Sequence, residues 1–286
     1  RYAQLLSERQ CLISGWTTGD GMYTESPPRA RSWFHQPFER IDATAEEAGS
    51  ILVVPVGSVE QHGRHLPVGT DTMLVGSVAA ETARRVPNEL PLLVAPPVWS
   101  GHSPHHTSLG GTLSVQHRTL LTLLEDVCET GMQYGFDGLA ILNGHGGNKS
   151  TIGSLTSTVG GTLTEAEVLG LTYFDLAAPY VDEYRESGTG GMSHGGEFET
   201  SLMLHRYPTL VGDDRPATLH SEPYDLGLQD MFDDGPASVY REFEAYSDSG
   251  AIGDPALATA AKGKALFDVV CEDLVELIGS MHDRLA

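Results

Sequence analysis

Lysine is nearly missing from this chain of 286 residues: Lys149, Lys262 and Lys264 are all it has. With 17 Lys and Arg against 39 Asp and Glu, its formal net charge is −22. A field of that sign repels nucleic acid and anionic lipid, so neither is expected as a partner. It also fits a protein kept soluble in a salt-rich cytoplasm, where ions screen the self-repulsion. Cysteine is scarce too. Cys11, Cys128 and Cys271 are widely separated and form no Cys-x-x-Cys pair. That excludes a disulfide framework and a zinc ribbon, and points to a reducing, cytoplasmic setting. No apolar run approaches the roughly 18 residues that a membrane span needs. No signal-peptide pattern stands at the start, where the first residue is Arg and not Met, so the expected location rests on the cysteines.

What is present is strand and helix in alternation. Residues 1–38, rich in Arg, Gly, Ser and Pro, read as an irregular arm draped over the body or a neighbouring subunit. Residues 39–286 read as one domain. Glu39–Ala48 predicts a short acidic helix, and Ile51–Val56 a strand buried on both faces. The spacing then predicts a helix over Thr72–Val86, a strand over Leu90–Ala95, and a helix over Ser114–Tyr134 with Ser114 as its N-cap. A strand at Gly138–Leu142, a helix from Asn148, a strand at Ala166–Tyr173 and a helix at Glu197–His205 follow. An acidic, turn-rich stretch precedes a closing helix over Asp254–Leu285. The alternation implies an α/β fold, a three-layer α/β/α sandwich around a mostly parallel sheet.

In such sheets ligands bind beyond the carboxyl ends of the strands. Polar motifs follow three of the predicted strands. Glu60 and His62 follow the first, Ser100-Gly-His102-Ser-Pro-His105-His106 the second, and Asn143-Gly-His145-Gly-Gly-Asn148 the third. Asp71 opens the next helical pattern, and Met192-Ser-His194-Gly-Gly-Glu197-Phe-Glu199 adds a later group. Carboxylates and imidazoles together suit zinc, manganese or iron. The plainer alternative is a set of polar loops with capping duties, Glu197 complementing a helix dipole. His102, His105 and His106 are expected to be solvated or bonded in the core, with a substrate contact as the alternative. His65 is expected to hydrogen-bond around the site, Arg64 to lie at the surface or entrance, and Trp99 in the core or a pocket wall.

The run Pro55-Val-Gly-Ser-Val-Glu-Gln-His-Gly-Arg-His-Leu-Pro-Val-Gly-Thr-Asp71 resembles the creatininase (creatinine amidohydrolase) family. So do the Asn-Gly-His-Gly-Gly-Asn loop, the later His-Gly-Gly-x-x-Glu-Thr-Ser and the Gly253-Asp-Pro turn. The resemblance covers residues 38–285. It implies a dinuclear metallohydrolase with two divalent ions per subunit (Zn, Mn or Fe), acting on a C–N bond of a small cyclic amide or formamide and assembled as a homo-hexamer. Carried over by position, Glu60, Asp71 and His145 would hold one ion, and His62, Asp71 and Glu199 the other. His194 would be the catalytic histidine. Gly146 and Gly147 stand where true creatininases carry an aromatic and an acidic residue; Gly190 and Gly191 replace a Trp-Asp pair that grips creatinine. The glycine-rich loops are more like members acting on other amides, a formamidopyrimidine deformylase-like and a peptidase-like branch among them. A non-catalytic metal-binding scaffold is the reading from another class.

Overall fold

The computed structural model describes residues 25–218, 230–232, 237 and 239–286. Cys11, Trp16 and residues 1–24 of the expected arm lie outside them, as does much of the tract from Asp213 to Asp234. The rest of the arm is tied down. Arg31 donates to Leu90 O at 2.7 Å and Pro87 O at 2.6 Å, and Trp33 packs on Tyr134 and Phe136.

Four strands, β1 (Ile51–Val56), β2 (Leu92–Val94), β3 (Gly138–Asn143) and β4 (Glu167–Thr172), form a wholly parallel sheet in the order β2-β1-β3-β4. The helices are α1 (Phe38–Ala45), α2 (Thr70–Arg85), α3 (His117–Met132), α4 (Lys149–Thr162), α5 (Val181–Tyr184), α6 (Glu197–Arg206) and α7 (Ala260–Leu285). β1 sets the layering. Every one of its residues is buried, and successive side chains leave opposite faces. Ile51 and Val53 therefore join one core with Leu74 and Val78 of α2 and Leu266 and Leu274 of α7. Leu52, Val54 and Val56 join another with Leu120 and Leu124 of α3 and Ile152 and Leu155 of α4. This is the expected three-layer α/β/α sandwich.

A proline inside a central strand removes a ladder donor, yet Pro55 is accommodated. Ile51 N–H and Val53 O both face the β2 side, so the hydrogen that Pro55 lacks would also point there. β2 pairs with β1 only as far as Val53↔Val94. The missing donor falls in the gap between the end of β2 and Val98, where the chain pairs with β1 again and Val98 N–H donates to Pro55 O.

The strand order reverses direction between β1 and β3, because α2 leads outward to β2 and α3 leads back across to β3. Crevices open at the carboxyl edge of such a switch point. Two helices start well inside their expected ranges. Ser114 does not cap α3, which starts at His117 behind Gln116. Its hydroxyl instead accepts Ser103 N–H at 2.8 Å, tying the histidine-rich loop in place. The closing helix starts at Ala260 and not at Asp254, since Pro255–Leu257 forms a separate turn; Thr259 caps α7 by accepting Lys262 N–H. At Gly263 a Cβ would stand 1.8 Å from Ser201 O, so glycine is what lets α7 lie directly on α6.

Candidate metal centre

Beyond β1 the chain doubles back on itself. Glu60 N–H donates to Val68 O at 2.9 Å and His62 bridges Leu66, a ribbon that returns the chain to the first turn of α2 and Asp71. Beyond β3, Asn143 accepts His145 N–H on its side-chain oxygen and donates to His145 O, locking that residue from both sides. Asn148 accepts His102 N–H and donates to Gly57 O, stitching together the loops after all three strands. His194 lies on the loop ahead of α6. There Gly195 adopts φ +62°, a left-handed conformation open to glycine, and its N–H donates to Glu199 Oε2 at 2.6 Å.

The fold brings together all six residues singled out from the sequence. His62 Nε2 lies 2.9 Å from Asp71 Oδ1 and 3.8 Å from Glu199 Oε1. His145 Nδ1 lies 3.0 Å from Asp71 Oδ2 and 3.2 Å from Glu60 Oε1. His194 Nδ1 lies 3.7 Å from Glu60 Oε1. Glu60, His62 and Asp71 offer ligand atoms within 4.8 Å of one another, as do His62, His194 and Glu199. Glu60 and His62 are entirely buried; Asp71, His145 and Glu199 are nearly so.

These residues fit divalent cations. Buried polar atoms are normally hydrogen-bonded, yet Glu60 Oε1 and Asp71 Oδ2 have no hydrogen-bond partner. Each is an orphaned anion oxygen facing imidazole nitrogens. A histidine ligand commonly donates its second ring N–H to an oxygen. His62 Nδ1–H does so to Glu60 O at 3.0 Å, leaving Nε2 for the centre. A directed chain serves His145. Ser58 donates to Glu60 Oε2, so the 2.7 Å contact between Ser58 and Ser103 must use the hydrogen of Ser103. Ser103 Oγ then accepts His145 Nε2–H at 3.1 Å, which leaves Nδ1 facing Glu60 and Asp71.

Without cations, protons balance the carboxylates. Burial opposes charge on His145, but Glu60 and Asp71 outweigh it and raise its pKa to about 10. His62 is likewise raised, by Asp71 and Glu199 against burial. Burial pushes Asp71 upward, but His62 and His145 hold it well below the usual carboxylate range. A histidine raised above its unfolded pKa of 6.5 stabilises the fold fully below that pH and loses the contribution as pH climbs towards 10. The metal-free protein should therefore lose thermal stability from pH 6.5 towards pH 9, whereas bound cations replace those protons and abolish the loss. Calorimetry in chelator across this range checks it; a midpoint that stayed level or rose would contradict the charge balance.

Two further residues belong here. His106, expected to be solvated or core-bonded, is buried with Nε2 3.2 Å from Glu60 Oε1. Gln61 reaches both His106 and His194. Nothing in the sequence distinguished His106 from His102 and His105, because loop spacing carries no fixed periodicity. His65 behaves as expected, its Nε2 2.9 Å from Thr200 Oγ1 beside Glu199. Arg64 is exposed and pairs loosely with Asp214, and Trp99 is half exposed. Above the carboxylates opens a cavity of about 770 Å³, walled by His105, Gly146, Gly147, Tyr240, Arg241 and Phe243 among others.

The sequence model of the creatininase family, described as creatinine amidohydrolase, matches residues 39–278. The mycofactocin precursor peptide peptidase of Mycobacterium tuberculosis is 34% identical over 233 residues, covering 79% of this chain and 84% of its own length. Creatinine amidohydrolase of Pseudomonas putida is 29% identical over 260 residues, covering 84% of this chain and 93% of its own. A solved structure of creatininase with manganese superposes with a TM-score of 0.73 at 25% identity, over 87% of this chain and 97% of that one.

Proposed function

The chain belongs to the creatininase family of C–N hydrolases, and from that premise we propose that it is a metal-dependent hydrolase cleaving an amide bond in a peptide-like substrate. Glu60, Asp71 and His145 would hold one divalent cation and His62, Asp71 and Glu199 the second, as Zn, Mn or Fe. Such ions activate water and polarise a carbonyl. His194, kept neutral by burial, would take up the proton of the attacking water and pass it to the departing nitrogen.

The glycine-walled cavity carries the choice of substrate. Its volume of about 770 Å³ matches a ligand far larger than creatinine, since pockets of about 300–1,000 Å³ bury drug-sized molecules. Side chains that would fill it are absent for a steric reason. A Cβ at Gly147 would meet His145 Nε2 at 2.4 Å and His102 O at 2.6 Å; one at Gly191 would meet Ser187 Cβ at 2.2 Å. An acidic residue at Gly147 and the aspartate of the creatininase clasp at Gly191 therefore have no room here. The 34% identity to a peptide peptidase supports the same direction, away from the small cyclic amide or formamide favoured from sequence. A homo-hexamer of these domains, with residues 1–38 as an arm on its surface, belongs to this reading.

The test is an assay panel of protein loaded with Mn, Zn or Fe against creatinine, a formamidopyrimidine and short peptides, at low and high salt. Peptide cleavage that stops on chelation is the expected result. Creatinine as the fastest substrate would overturn the substrate class, and no hydrolysis of any amide would overturn the enzyme.

A further inference from the structure

Four imidazoles crowd the carboxylates, and hydrogen-bond accounting divides them. His62, His145 and His194 each direct one ring nitrogen at an oxygen: Glu60 O, Ser103 Oγ and Gln61 O. Each can thus donate there and keep a lone pair for the centre. His106 faces the other way. Its Nδ1 lies 2.9 Å from Gln61 Nε2, an amide nitrogen with two hydrogens and no acceptor capacity. That amide cannot be turned round, because Gln61 Oε1 accepts Gly63 N–H at 2.9 Å and Nε2 donates to Gly250 O at 3.0 Å. One amide hydrogen is left. His194 Nε2, 3.3 Å away, already places its own hydrogen on Gln61 O at 2.5 Å and has nothing to accept with. The hydrogen therefore goes to His106 Nδ1, and a neutral His106 must be protonated on Nε2, the atom 3.2 Å from Glu60 Oε1. A protonated ring nitrogen has no lone pair for a cation.

We propose that His106 is a positioning residue of the metal centre and not one of its ligands: clamped by Gln61, it sets a protonated Nε2 3.2 Å from Glu60 Oε1, an N–H dipole beside the carboxylate without a formed hydrogen bond. This rests on the metal-centre reading above. It also explains why a histidine within ligand distance of Glu60 and His194 need not enlarge the ligand set. His106 packs against the rings of His194 and Phe243, at centroid distances of 4.3 and 3.9 Å.

Two measurements decide it. Nitrogen NMR of 15N-histidine-labelled, metal-free protein at neutral pH reads the ring directly, with His106→Gln identifying its signals. Protonated Nε2 with bare Nδ1 is expected; the opposite tautomer overturns the proposal. The second is zinc affinity by chelator competition. Outer partners of metal ligands are worth about 10–100-fold in affinity, so His106→Ala should weaken one of two ions by that much while both still bind. His106→Gln, which keeps an N–H donor, should recover most of the loss. Loss of one whole ion in His106→Ala would make His106 a ligand, and unchanged affinity would make it idle; either overturns the proposal. Should the wild type bind no ion, the metal reading fails by itself, and the tautomer still decides the clamp.

Discussion

Replacing His194 by Ala should lower kcat/KM by about 10²–10⁴-fold, the range of a positioned general acid–base, while both cations stay bound. The ring's environment argues for this role. Nε2–H is anchored on Gln61 O at 2.5 Å, so the nitrogen turned towards the centre is the unprotonated Nδ1, 3.7 Å from Glu60 Oε1. Burial holds the ring neutral, which leaves Nδ1 with a lone pair to accept a proton. His62 lies at a centroid distance of 4.2 Å, tilted by 37°, and Phe243 stands edge-on at 4.9 Å. His194 also offers a ring nitrogen within ligand distance in both the Glu60 and the Glu199 clusters, so a structural role as a third ligand is the competing account. Metal content measured beside turnover separates the two. If activity in His194→Ala fell only in proportion to lost metal, proton transfer by His194 would be abandoned. If turnover and metal were both unaffected, His194 would have no part in the reaction.

How legible was this in the sequence? The strands were, because a doubly buried parallel strand such as Ile51–Val56 needs an unbroken apolar run that little else in a soluble chain requires. Glu60, His62, Asp71 and His145 were also legible as a group, since the carboxyl edge of the sheet is where loops converge whatever their lengths. The boundaries were less so. Ser114 has the chemistry of an N-cap, but its hydroxyl is claimed by Ser103 N–H from a distant loop, a tertiary competition invisible to local pattern. His106 was undervalued for the same reason. Its importance depends on Gln61, 45 residues away along the chain, and on which amide atom faces it. Asp230 shows the limit most clearly. Within the acidic, turn-rich stretch ahead of the closing helix, it is wholly buried and accepts Gly190 and Met192 N–H. A charge count could not separate this one carboxylate, which anchors the loop ahead of His194, from the rest of the acidic tract.

Asp71→Asn should have the broadest effect of any single change, because Asp71 alone addresses both halves of the centre. Its Oδ1 lies 2.9 Å from His62 Nε2 and its Oδ2 3.0 Å from His145 Nδ1. A carboxylate with one oxygen on each histidine is placed to bridge two cations, and an amide offers only one acceptor oxygen with an NH₂ opposed to the other site. Asp71→Asn should therefore release both ions at concentrations that saturate the wild type, and abolish activity with them. Glu60→Gln and Glu199→Gln should each weaken mainly one ion. Metal stoichiometry after dialysis distinguishes a bridge from an ordinary ligand: an Asp71→Asn protein that retained one ion as tightly as Glu60→Gln does would end the bridging assignment. The substitution has a second consequence in the metal-free state. Asp71 is among the groups that raise both His62 and His145, so without its charge both rings fall back towards the ordinary histidine range. The stability lost between pH 6.5 and 9 in the metal-free wild type should then shrink in Asp71→Asn, because fewer protons are held by the fold in that window. That outcome needs no bound metal and no substrate, and so tests the charge arrangement of the centre by itself.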